Sequence, residues 1–214
     1  MVKSNYLVAL VVTFAILLFV FFFIKTQEDN KFAELNKELD QIVFENTLLS
    51  SFADFDSGNK EAYCSVVSQS ISSLSEKASS LERRLSAYKQ SSFDTHEFYL
   101  TKRNYLIVNM FLYKSYLEAK SRCDLNTNLV LFFYAEDNSC EPDCGVIGAQ
   151  LFALSRNCSS FKNFNFPFNW PSYEFIKILE AKYAVTQPAT FVVDGRKFVG
   201  AMDNSKFSSL LGCS

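Results

Sequence analysis

From Asn128 to the end of the chain, short apolar runs alternate with helical patterns, and that alternation allows few architectures. The run "NLVLFFYA" is continuous and short, which suits a strand buried on both faces. A helix "GVIGAQLFALSRN" follows, then a strand "FKNFNFPFN", a helix "PSYEFIKILEAKYAV", the strands "PATFVVDG" and "RKFVG", and a last helix near "NSKFSSLLGC". Strand, helix, strand, helix, strand, strand, helix is an α/β order, with a central sheet and helices on its faces.

The preceding region has another texture. Between Gln27 and about Cys123 the only glycine is Gly58 and there is no proline, so the segment reads as helical. Phe32, Leu35, Leu39, Ile42 and Leu49 fall at helical spacings, with Asn46 at the remaining seam position. "DFDSGNK" supplies a break through Asp56, Ser57, Gly58 and Asn59. A second helix over Glu61 to Lys89 carries Val67, Ile71, Leu74, Ala78, Leu81, Leu85 and Tyr88 on one face. A third, through "HEFYLTKRNYLIVNMFLYKSYLEAKSR", is apolar around more of its circumference and so is expected to be better buried. Together they read as an α-helical stalk or coiled-coil hairpin, whose stripes serve either as internal core or as a seam for a protein partner or a second copy.

At the N-terminus, Tyr6 to Ile24 is an uncharged apolar run long enough to span about 30 Å of hydrocarbon. It ends in "FFFIKTQEDN" without a small-residue cleavage site, which favours an uncleaved membrane anchor over a signal peptide. The flanking charges, Lys3 before and Lys25, Lys31 and Lys37 after, do not orient it. Six cysteines beside a single histidine, His96, read as disulfide material, which points to an oxidising compartment and an extracytoplasmic C-terminal domain. The organisation is thus an anchor over 1–25, helices over 26–123 and an α/β domain over 124–214. A formal charge of −2 without a basic, aromatic-interleaved run argues against nucleic acid as a partner. With one histidine and no glycine-rich phosphate loop, triad hydrolysis and nucleotide chemistry are equally unsupported.

The candidate chemistry lies in "SCEPDCGVIG", where Cys140 and Cys144 stand at the first strand-to-helix junction. A redox cysteine must be populated as thiolate, and a helix N-terminus favours that form; Cys140 is expected there, with Pro142 in the first turn. Cys144, about one turn on, can resolve a mixed disulfide. Glu136, Asp137, Glu141 and Asp143 surround the pair and oppose the thiolate. The residues alone leave a redox pair, a structural disulfide and a metal site open, the last poorly supplied because two thiolates do not fill a zinc shell.

The element order, this pair and "TQPATFVVDGRKFVG" resemble the thioredoxin superfamily, over about residues 126–214. The resemblance implies a cis Pro188 opening a strand beside the cysteines, a turn at Asp194 and Gly195, and a closing Gly200. It implies that the backbone at Gln187 pairs with an extended substrate, and that no cofactor is needed. Three residues separate the cysteines where family oxidoreductases usually have two, and Ser139 stands where a tryptophan is common. A three-residue spacer also occurs in the copper-handling branch, but no histidine follows Cys144 to complete that metal site. If the implied topology holds, Cys123 and Cys213 end near each other and form a structural disulfide, with Cys158 competing for either, while Cys64 reads as a small core residue.

The resulting expectation is a membrane-anchored thiol-disulfide oxidoreductase, with Cys140 attacking, Cys144 resolving, Pro188 and Gln187 shaping the substrate platform, and protein thiols and disulfides as partners. The alternative is a non-catalytic thioredoxin-like binding or assembly module in which the pair is a structural disulfide.

Overall fold

The computed structural model describes residues 11–23, 25–26, 33, 36–37, 39–44, 47, 59–91, 96–170 and 173–213. Two long helices come first, α1 (Lys60–Ser91) and α2 (His96–Arg122). Then follow β1 (Asn128–Tyr134), a 3-10 turn (Asn138–Cys140), α3 (Asp143–Asn157), β2 (Phe161–Pro167), α4 (Glu174–Lys182), β3 (Thr190–Val193), β4 (Arg196–Val199) and α5 (Asn204–Leu210).

The four strands form one mixed sheet in the order β2-β1-β3-β4. β1 runs parallel to β2 and antiparallel to β3, and β3 and β4 form a hairpin. The central β1 is buried on both faces, as its unbroken apolar run requires. Its side chains alternate: Leu129, Leu131 and Phe133 enter one core with Leu106, Leu112, Tyr113, Ile176 and Leu179. Val130 and Phe132 enter the other with Ile147, Leu151, Phe207 and Leu211. α2 and α4 therefore cover one face, and α3 and α5 the other. The β3–β4 loop is Asp194-Gly195, with φ of 46° and 85°, the positive pair that a two-residue primed turn needs.

α1 carries its stripe Val67, Leu74, Ala78 and Leu81 into burial, with Ile71 packed beside them. Asn59 accepts from Ala62 N at 3.1 Å and so caps its first turn. α2 is buried by α1 on one side and by the sheet on the other, so even Thr101, Asn104, Asn109 and Ser115 are enclosed. One hydrophobic cluster consequently runs across position 124, from Leu81 through Tyr116 to Phe164. Of the earlier seam, Leu39 is buried and Ile42 packs on this cluster. Phe32, Leu35, Asn46, Leu49 and the break at Asp56, Ser57 and Gly58 lie outside the described residues.

The membrane span expected over Tyr6–Ile24 is not supported: among the described residues no helix is long and apolar enough to cross a membrane. Positions 11–23 are helical. Residues 6–10 and 24 lie outside the described residues. The expected transmembrane helix, and the single-pass membrane localisation that placed a C-terminal domain outside, are corrected accordingly.

Candidate functional site

All six cysteines are paired. Cys64 joins Cys123, Cys140 joins Cys144, and Cys158 joins Cys213. The Cys123–Cys213 bridge expected from the sequence is therefore corrected, and so is Cys64 as a plain core residue. The reason is topological. α1 and α2 are antiparallel, so the start of one meets the end of the other, and Cys64 and Cys123 come to a Cα separation of 5.6 Å. Lys60 and Asp124 pair at 2.6 Å beside them. Cys213 follows Gly212, whose φ of 70° ends α5 against the loop after α3, where Cys158 waits.

Cys140 and Cys144 lie at the carboxyl end of β1, with Cα atoms 5.5 Å apart. Each residue is 8% exposed, at the edge of the core that also holds Phe132, Ile147 and Ala189. Local structure positions them. Asp137 accepts from Ser139 N at 3.0 Å, initiating the 3-10 turn that carries Cys140, and that bonding with Ser139 holds the Asp137 carboxyl below its ordinary range. The chain then passes a cis Glu141–Pro142 bond, with Pro142 as the N-cap of α3.

Two expectations are corrected here. The helix starts at Asp143, so Cys144 rather than Cys140 occupies its first turn. Cys140 instead accepts a backbone hydrogen bond, from Ala135 N at 3.3 Å. Pro188 is not cis: among the described residues the cis bond is Glu141–Pro142. An X-Pro bond adopts either isomer at little cost, and the surrounding fold selects it. At 188 the chain turns through Ala189 instead, at φ 53°, while Thr190 Oγ1 donates to Gln187 O at 2.8 Å. Gln187 is exposed, and its carbonyl is engaged by Thr190.

The loop nevertheless reaches the cysteines. Ala189 is buried in their cluster and its carbonyl accepts from Gly200 N at 2.8 Å. A Cβ at Gly200, whose φ is 76°, would stand 3.4 Å from Asp143 Oδ2. Gly200 thus lets the strand-end loop close over the start of α3.

The acidic surroundings are partly neutralised. Lys102 of α2 makes an ion pair with Glu136, two residues past the end of β1, and lies over the Trp170 ring at 4.5 Å. Tyr134, beneath the same carboxylate, has its phenol raised by burial first and by Glu136 second. Lys102, Ala135 and Ala189 carried no sequence signal, because one acts across the fold and the others through their backbones. Among the described residues no group of three or more His, Cys, Asp or Glu is arranged to hold a metal ion.

No protein-family model matches the chain, and no curated protein or solved structure matches it either.

Proposed function

We propose that the protein is a thiol-disulfide oxidoreductase working through Cys140 and Cys144, on a thioredoxin-like arrangement of residues 126–214. The observation that carries this reading is the contrast among the three disulfides. Two close loops with sequence separations of 59 and 55, and the third closes a separation of 4 at the carboxyl end of the central strand. In the chain-entropy relation the long loops each contribute about 4 kcal/mol and the short one about 2 kcal/mol. The short disulfide is the poorest staple of the three and the only one at a strand-to-helix junction, where ligand and catalytic groups gather in open α/β sheets.

The chemistry balances with a protein dithiol as reductant. A substrate thiolate attacks Cys140 Sγ, the disulfide breaks, and Cys144 leaves as thiolate and takes a proton. A second substrate thiolate then attacks its neighbour's sulfur in the mixed disulfide, and Cys140 leaves. The substrate is oxidised by two electrons and the pair reduced by two. Ala135 N–H, already directed at Cys140 Sγ, is placed to stabilise that leaving thiolate. In the reverse direction Cys140 attacks and Cys144 resolves.

The test is the reduction potential of this pair in the intact protein, read by thiol alkylation and mass spectrometry across a glutathione series. Opening between about −120 and −270 mV supports exchange chemistry. Resistance below about −300 mV makes the pair a structural disulfide and sinks the proposal in favour of a non-catalytic binding module.

A further inference from the structure

The redox segment contains a device that its acidic composition alone does not describe. The Glu141 side chain folds forward along the helix, and its Oε2 accepts from Gly145 N at 3.2 Å. The first N–H groups of a helix have no partner within it and form its positive end. Val146 N is the first to bond back, to Pro142 O at 3.0 Å, so Gly145 N is one of these free donors and Glu141 takes it. Position 145 is shaped for this: a Cβ there would stand 2.7 Å from Glu141 Oε2. Glu141 is also the immediate chain neighbour of Cys140, and Gly145 that of Cys144.

Resting on the exchange reading above, we propose that Glu141 is a positioning residue for the pair: its carboxylate caps α3 in the place a thiolate would use, and so holds the reduced cysteines as thiols. The arrangement has two separable parts, a negative charge beside Cys140 and an occupied donor at the helix start. Both oppose the thiolate. Glu141→Gln removes the charge and keeps an oxygen able to accept from Gly145 N. Gly145→Ala keeps the charge and expels the carboxylate from the cap. The expelled group is the far end of a flexible side chain, so α3 is expected to stay folded, and alanine favours the helix.

The experiment uses the full-length protein with Cys140–Cys144 opened by a limiting phosphine. The pH profile of iodoacetamide alkylation is followed at each cysteine by mass spectrometry. With either variant the profile should move to lower pH, and alkylation on the acidic side of the midpoint should quicken about two- to fivefold, the range of a helix-terminus charge interaction. Unchanged profiles in both variants overturn the proposal. A shift with Glu141→Gln but none with Gly145→Ala also overturns it, since charge alone would then explain the effect. Because the phosphine opens the pair whatever its potential, an outcome against exchange with glutathione would leave this readout intact, and the two proposals fail separately.

Discussion

Removing the disulfides one pair at a time separates staples from a working pair. Alanine replacement of Cys158 and Cys213 frees a loop of sequence separation 55, and of Cys64 and Cys123 a loop of 59. The chain-entropy relation gives a loss of about 4 kcal/mol for each. Replacement of Cys140 and Cys144 frees a separation of only 4 and costs about 2 kcal/mol. For a chain of this size each kcal/mol lowers Tm by about 2–4 °C, so the long loops should cost about 8–16 °C and the short one about 4–8 °C. Circular dichroism melts of the three double variants, each with its other two disulfides intact, give the ranking directly. The reasoning is refuted if loss of Cys140–Cys144 destabilises as much as loss of Cys158–Cys213. A short loop cannot supply that much through chain entropy, and the pair would then be holding native structure by its own contacts.

Two further outcomes follow from the geometry. Burial, with Glu82 adding to it, pushes the Tyr105 phenol up to about 12, against about 10 in an unfolded chain, so the folded state favours the neutral form. That stability is complete below pH 10 and is lost as pH rises toward 12, about 2–3 kcal/mol in all, and an ultraviolet titration should contain one late phenolate step, displaced toward pH 12, that Tyr105→Phe removes. Asp194→Ala removes the carboxylate that accepts from Leu129 N at 3.0 Å and pairs with Lys120 at 2.8 Å; urea unfolding should show a loss of about 1–3 kcal/mol, and an unchanged midpoint would mean that water replaces both partners.

The legible parts of the sequence were those decided by neighbours along the chain. The run at Asn128–Tyr134 could be read as a doubly buried strand because six of its seven residues are apolar, and it is the central strand. The turn at Asp194-Gly195, which the resemblance implied, is present, and both residues have positive φ. Cys140 and Cys144 were certain to be close, with three residues between them. The helix read over 145–157 begins two residues earlier, at Asp143, and Cys140, expected at its N-terminus, lies instead in a separate 3-10 turn that Asp137 caps. The apolar run at the N-terminus was read as a span from its hydropathy and length, and among the described residues no helix is long and apolar enough to cross a membrane.

The remaining features depended on which distant segments meet. Four cysteines allow three pairings, and only the antiparallel closure of α1 on α2 and the landing of α5 beside the end of α3 select Cys64–Cys123 and Cys158–Cys213. The burial of Ala189 in the cysteine cluster and the approach of Gly200 to Asp143 likewise join segments distant in the chain. By itself the sequence determined the succession of elements, the two apolar faces of β1 and the nearness of the cysteine pair. Backbone sterics and side-chain periodicity act over a few residues, and these features need no more. Tertiary structure alone decided the long-range disulfides, the burial of α2 between α1 and the sheet, and the distant groups around the pair, Lys102 and Ala189. Those contacts exist only once the core has packed, because nothing local brings residues so far apart in the chain together.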